Sequence, residues 1–242
     1  MGATACRTEK AATGELVTRV SSLEGHRLWA RGYDSTANPI LALEERSMRN
    51  LLQGLRPATV LDVACGTGRW LLHFQQSGAS ACGVDGCEEM LAQARKRLGH
   101  HGNLAVGDAA ELPLADATAD LILSCMALGY FPDLYRVFSE LFRVARVGGY
   151  IAVSDLHPEA IAAGWTRSFR AGDSSYEIEH FCYAVEDVEC IAATAGLSLI
   201  RRAAAHLGEP ERPILEDAGK DYLLSRAHVM PALFLALWRK PC

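Results

Sequence analysis

None of the eight cysteines (Cys6, Cys65, Cys82, Cys87, Cys125, Cys182, Cys190 and Cys242) forms a C-x-x-C pair. Paired metal-ligand spacing is therefore missing, and no metal is expected. The opening residues, Met1-Gly2-Ala3-Thr4-Ala5-Cys6, hold no apolar signal core, and Cys at position six breaks the myristoylation pattern. The thiols are accordingly expected to be reduced and the compartment cytoplasmic. Long apolar runs are lacking too. The two most apolar stretches, Leu121 to Phe131 and Pro231 to Trp238, are too short to cross a bilayer, so no membrane partner is expected. An excess of positive charge is also absent. Lys and Arg number 24 against 29 Asp and Glu, a net charge of −5 that disfavours nucleic acid and anionic lipid as partners. Repeats and low-complexity tracts do not occur. What is present is a chain of 242 residues, half of them hydrophobic and 22% charged, the mixture of a globular enzyme that buries its own core.

From about residue 58 the pattern alternates between strand and helix. Thr59-Val60-Leu61-Asp62-Val63-Ala64 is a short β-rich run ending at Gly66, and Gly68 to Gln76 puts Trp70, Leu71 and Phe74 on one helical face. Ala81 to Val84 reads as a second buried strand. Glu88 to Leu98 carries Met90, Leu91, Ala94 and Leu98 as an apolar stripe. Leu104 to Val106 and Asp120 to Cys125 are predicted as strands three and four. Asp133 is expected to cap a helix with Leu134, Val137, Phe138, Leu141 and Phe142 at helical spacing, closed by Gly148-Gly149. Tyr150 to Ser154 is the predicted fifth strand. Val185 to Ala195 forms a further helix, Leu197 to Leu207 a sixth strand and Ala232 to Arg239 a seventh. Near-continuous apolar strands alternating with helices imply an α/β fold, a mostly parallel sheet covered on both faces.

Residues 1–57 stand outside the alternation as an N-terminal helical lid segment, with two amphipathic helices expected in 14–54. The second of these starts at Asn38-Pro39, a capping residue followed by Pro at the first helical position. Residues 58–242 form the sheet domain, interrupted by polar, aromatic and Pro/Gly-punctuated insertions at about 157–183 and 208–230 that could fold over the strand ends.

Ligands of such sheets bind beyond the carboxyl ends of the strands. After strand one stands Asp62-Val63-Ala64-Cys65-Gly66-Thr67-Gly68, where glycines let the backbone approach a ligand and a helix N-terminus follows. The third glycine or alanine of a dinucleotide fingerprint is replaced by Leu71, and no Walker lysine occurs, which weakens a pyrophosphate ligand and leaves a smaller adenosyl one. After strand two comes Asp85, an acidic side chain able to accept from both hydroxyls of a ribose. After strand three comes Gly107-Asp108-Ala109-Ala110-Glu111-Leu112-Pro113, where a carboxylate can accept from an adenine amine while the next N–H donates to the ring.

With Gly83-Val84-Asp85, Met90-Leu91, Asp120-Leu121-Ile122-Leu123-Ser124 and Arg143-Val144-Ala145-Arg146-Val147-Gly148-Gly149-Tyr150, these segments resemble the successive motifs of class I S-adenosylmethionine-dependent methyltransferases. The resemblance is to the small-molecule branch, similar to ubiquinone/menaquinone and natural-product methyltransferases, and covers about residues 58–156. It implies a Rossmann-like seven-stranded sheet whose last strand runs antiparallel. It implies S-adenosyl-L-methionine as cofactor and a small-molecule methyl acceptor at O, N, S or C. By the same resemblance Asp62, Ala64, Gly66 and Gly68 would hold the methionine moiety and Asp85 the ribose. Gly86 or Met90 would lie against the adenine face, Asp108 and Ala109 at its edge, and Ser124 and Met126 as a floor beside the sulfonium. Two positions depart from the family pattern: Ala64 and Val147 stand where Gly and Pro are usual.

Holding an acceptor lone pair in line with an activated methyl can alone be worth about 7–11 kcal/mol, so positioning is expected to dominate, with one optional base. His157, in Ser154-Asp155-Leu156-His157-Pro158, is either that base or a turn-capping histidine. Tyr33 either contacts the methionine end or the acceptor, or is an ordinary loop aromatic. Tyr130, Trp165, Phe169, Tyr176, His180 and Phe181 either line an apolar acceptor pocket or fill the core of the insertion. Three other readings remain open at this stage: a macromolecular (protein or RNA) methyltransferase, a non-catalytic adenosylmethionine-binding protein, and a dinucleotide oxidoreductase.

Overall fold

The computed structural model describes residues 4–5, 17–35, 37–99, 102–227 and 229–242. Cys6, and residues 14–16 of the stretch in which two helices are expected, lie outside them. The central sheet has seven strands: β1 (Thr59–Val63), β2 (Ser80–Asp85), β3 (Asn103–Val106), β4 (Ala119–Cys125), β5 (Ala145–Leu156), β6 (Ser198–Ala205) and β7 (Leu233–Arg239). Their spatial order is β3-β2-β1-β4-β5-β7-β6. Strands β1 to β5 pair in parallel, whereas β7 runs antiparallel to both β5 and β6.

Both faces of the central strands are buried, because successive side chains along a strand point to opposite sides and both sets there are apolar, whereas the edge strand β6 is exposed up to Ala205. On one face Val60, Leu121, Leu123 and Leu235 meet α2 (Pro39–Leu51), α3 (Arg69–Gln76) and α4 (Glu88–Leu98), which follow α1 (Ser22–Trp29). On the other, Leu61, Ile122, Ile151 and Trp238 meet α5 (Leu134–Val144) and, beyond the short α6 (Pro158–Ala162), α7 (Val185–Thr194). Phe138 and Trp238 pack edge to face at 5.5 Å. Each such side chain, fully withdrawn from water, contributes about 1.5–3 kcal/mol.

The helix starts follow from their caps. Asn38 Oδ1 accepts from the Ile40 N–H at 2.9 Å with Pro39 next in line, and Asp133 Oδ1 accepts from the Arg136 N–H at 3.1 Å. One expected boundary fails. Gly148-Gly149 does not close α5, which ends at Val144 where Ala145 turns extended. The two glycines lie inside β5, where the Gly148 N–H donates to Lys240 O and the Lys240 N–H returns to Gly149 O, each at 2.9 Å. A Cβ on Gly149 would stand 2.8 Å from Arg146 O, so the irregular crossing admits only glycine there.

The segments outside the alternation join one another. Residues Val17–Val20 pair in parallel with Ser174–Ile178, which pair antiparallel with Ser168–Ala171. Gly25 of α1 lies against Ile178, and Trp29 stacks on Phe169 at 4.9 Å, which in turn stacks on Tyr176 at 5.3 Å. A small sheet and an aromatic stack thus bind the N-terminal segment to the insertion after β5. Residues 209–227 instead form short helices and pack beside α2, where Arg46 pairs with the buried Glu211 at 3.0 Å.

Candidate active site

Across the carboxyl ends of β1 to β4 and under α1 lies a cavity of about 580 Å³. Its wall includes Ala64 and Gly66 after β1, Asp85, Gly86 and Met90 after β2, and Asp108 and Ala109 after β3. Met126 and Tyr130 follow β4, and Tyr33 and Trp165 come from the covering segments.

The turn after β1 is left-handed three times, at Ala64 (φ 59°), Gly66 (φ 54°) and Gly68 (φ 78°). An alanine in that region costs about 1–2 kcal/mol, which accounts for the glycine usual there. The turn is tied to β2 by a carboxylate. Asp85 Oδ2 accepts from the Gly66 N–H and Oδ1 from the Cys87 N–H, both at 2.8 Å. A carboxylate offers about four lone-pair directions, so two remain for a ligand. Burial holds the Asp85 carboxyl above its ordinary range, opposed by those two N–H groups and by the nearby His26. Asp108 Oδ1 accepts from the Ala110 N–H at 2.8 Å, a local turn that aims the loop after β3. Gly107 is required just before it, since a Cβ would stand 2.9 Å from Val84 and Pro113. Met90, Val106, Ala109 and Phe131 supply apolar parts of the wall.

The covering segment is latched to this turn. Asp34 pairs with Arg97 of α4 at 2.8 Å and accepts from Thr67 Oγ1 at 3.1 Å. Deeper, the buried Glu44 of α2 accepts from Arg69 at 2.5 Å and from Ser154 Oγ at 3.0 Å. Burial pushes the Asp62 carboxyl up to about 8, with Arg69 opposing the shift.

Several expected site residues are not in the cavity wall. His157 is the main correction. β5 extends to Leu156, paired with Leu233, and Pro158 opens α6, so His157 becomes its N-cap, with Nδ1 accepting from the Glu159 N–H at 3.3 Å. Its ring faces a separate groove lined by Glu186, Glu189, Arg202 and Phe234. Phe169 is held inside the aromatic stack, and the His180 Nδ1–H donates to Ile178 O at 3.1 Å, outside the wall. Ser124 is fully buried within the sheet, its hydroxyl without a partner. Asp62 is buried beneath the turn, and Gly68 caps α3 against Ala94 and Leu98.

Sequence reasoning missed His26, Trp29 and Arg167, all in the wall. The His26 Nδ1–H donates to Ser22 O at 2.7 Å, since a carbonyl can only accept, and its ring meets Tyr130 edge-on at 4.8 Å. Burial lowers its pKa from the ordinary imidazole value, opposed by the Ser22 carbonyl and by Asp85. Arg167 is 8% exposed and pairs with Asp155, and its Nη1 donates to Met126 O at 2.9 Å. A lone arginine between Trp165 and Phe169 was the one available signal.

Residues 61–153 match a family described as "Methyltransferase domain". Among curated relatives, a malonyl-[acyl-carrier protein] O-methyltransferase of Methylococcus capsulatus is 39% identical across 63% of this chain and 57% of the relative. One of the same name from Pseudescherichia vulneris is 32% identical across 69% and 65%. The chain thus spans about half to two thirds of the length of these relatives. A solved S-adenosylmethionine dependent methyltransferase from Mesorhizobium loti superposes with a TM-score of 0.67 at 20% identity, covering 84% of this chain and all of that one, a likeness of fold. Residues 61–153 thus match a methyltransferase domain, and the chain shares the fold of solved S-adenosylmethionine-dependent methyltransferases. The residues present fit the cofactor of such enzymes: a glycine turn, two carboxylates in strand order, and apolar side chains in the same wall.

Proposed function

We propose that the chain transfers a methyl group from S-adenosylmethionine to a small acyl-type acceptor at oxygen. The observation that carries this is the Asp85 carboxylate, fastened to the Gly66 N–H at the mouth of β1 and β2 with lone pairs left over. Asp85 takes the ribose hydroxyls, Asp108 the adenine amine, and Met90, Val106 and Ala109 the ring faces. Ala64 and Gly66 receive the methionine portion, with Asp62 and Arg69 behind them. When bound, the cofactor supplies a methyl carbon on a sulfonium. The acceptor lone pair forms the new bond as the S–C electron pair returns to sulfur.

The chain's own part is positioning. Tyr33 and Tyr130 stay protonated, because burial raises both phenols, and they present hydroxyl donors. α1 and the aromatic stack exclude water above. The relatives named malonyl-[acyl-carrier protein] O-methyltransferase support an acyl acceptor.

The test is methyl transfer from isotopically labelled S-adenosylmethionine to a panel of small acids, phenols, amines and thiols. Label in an alkali-labile ester of an acid is expected. Failure to bind S-adenosylhomocysteine at millimolar concentration would reject the reading.

A further inference from the structure

The cavity wall is chemically divided. Its two carboxylates, Asp85 and Asp108, stand beyond β2 and β3. Beyond β4 and β5 the wall carries Tyr130, Thr166, Arg167 and Ser168, and no carboxylate lines the wall there among the described residues. Among the described residues Arg167 is also the single Lys or Arg side chain in the wall.

The guanidinium is held from behind. Nη2 pairs with Asp155, whose Oδ2 accepts from the Gly129 N–H and whose Oδ1 accepts from the Leu156 N–H, both at 2.6 Å. One Nη1–H donates to Met126 O at 2.9 Å, and Cζ lies 4.5 Å from the centre of the Tyr130 ring. The Nε–H is buried with no hydrogen-bond partner. A buried donor left unmade costs about 1–3 kcal/mol, so a ligand oxygen that engages it recovers that amount. The room about this group is fixed by glycine: a Cβ on Gly129 would stand 3.0 Å from Arg167 Nη2 and 3.1 Å from Phe181 O.

We propose that Arg167, backed by Asp155 and set against Tyr130, is the specificity-determining residue of the acceptor site, and that it recognises a carboxylate on the acceptor. This rests on the methyltransferase reading above. One guanidinium with neutral donors suits a singly charged planar anion; a phosphate would call for more cations. A carboxylate arrives already ionised at neutral pH, so no proton has to be removed from it. That matches a wall from which His157 is absent. One oxygen is held by Arg167 and the Tyr130 phenol, which leaves the other oxygen free to face the methyl group.

The experiment is calorimetry on the whole chain saturated with S-adenosylhomocysteine. The probe is malonyl-N-acetylcysteamine, compared with the thioester that ends in an amide in place of the free carboxylate. Wild type is expected to bind the carboxylate probe at least about 30-fold tighter. Arg167→Lys and Tyr130→Phe are each expected to cut that preference about tenfold while S-adenosylhomocysteine affinity stays within about twofold. Equal binding of the two probes by wild type overturns the proposal whether or not the variants fold. Equal weakening of both probes in the variants also overturns it, because it marks Arg167 as structural. Either of those results, with S-adenosylhomocysteine still bound, leaves the methyltransferase reading standing. If S-adenosylhomocysteine itself fails to bind, the underlying reading and the proposal fall together.

Discussion

Asp85 is the side chain on which nucleoside binding should depend most. Its carboxylate already accepts two backbone N–H groups at 2.8 Å, and each oxygen keeps a lone pair for one ribose hydroxyl. Hydrogen bonds to a charged group contribute about 1.5–3 kcal/mol each. Two of them amount to about 3–6 kcal/mol, at least about 100-fold in affinity. Asp85→Ala should therefore weaken S-adenosylhomocysteine binding by about 100-fold or more. The substitution also strips the Gly66 N–H of its partner, so loosening of the turn has to be separated from lost contact. Asp85→Asn keeps an acceptor for one of the two N–H groups and should lose less. Calorimetric titration of both variants, with thermal unfolding alongside, makes that separation. A folded Asp85→Ala protein that binds within about threefold of wild type would refute the ribose assignment.

Three further outcomes are expected. His157→Ala should leave turnover and S-adenosylhomocysteine affinity unchanged and lower stability by no more than about 1 kcal/mol, the worth of a helix cap; a tenfold fall in turnover would return His157 to the chemistry. Glu44→Ala should destabilise the chain by about 3 kcal/mol in urea unfolding, because Arg69 and Ser154 Oγ lose their shared partner; a change below about 0.5 kcal/mol would contradict that role. Asp62 titrates at about 8 in the folded chain against an ordinary 3.8, so the folded state holds the proton more tightly. Its favourable contribution is full below about pH 4 and is lost as pH rises toward about 8. Wild-type melting temperature should thus fall more than that of Asp62→Asn between about pH 5 and 8, and parallel curves would contradict the shift.

The sheet and the carboxylate-bearing side of the cavity wall were legible because their signals are local. Each strand end carries its own turn within a few residues, as in Ala64 to Gly68, Asp85-Gly86 and Gly107-Asp108, and parallel strands buried on both faces advertise themselves as apolar runs. The covering half was not legible, because its contacts are remote. His26 and Trp29 reach the cavity through pairing of residues 17–20 with 174–178, which no local pattern announces. His157 shows a second limit. Its place after β5 was read correctly, but two further residues of strand and a cap at Pro158 turn it into a different groove. Gly148-Gly149 has the look of a helix stop, yet the β7 partner draws it into the sheet.

The central claim, that successive strand ends grip an adenosyl ligand, is tested most directly by a crystal structure of the chain soaked with S-adenosylhomocysteine. The ribose hydroxyls should lie within hydrogen-bond distance of Asp85 and the adenine amine beside Asp108, with the sulfur turned toward Tyr33, Tyr130 and Arg167. Density for the ligand in the His157 groove, or none at the ends of β1 to β3, would contradict it.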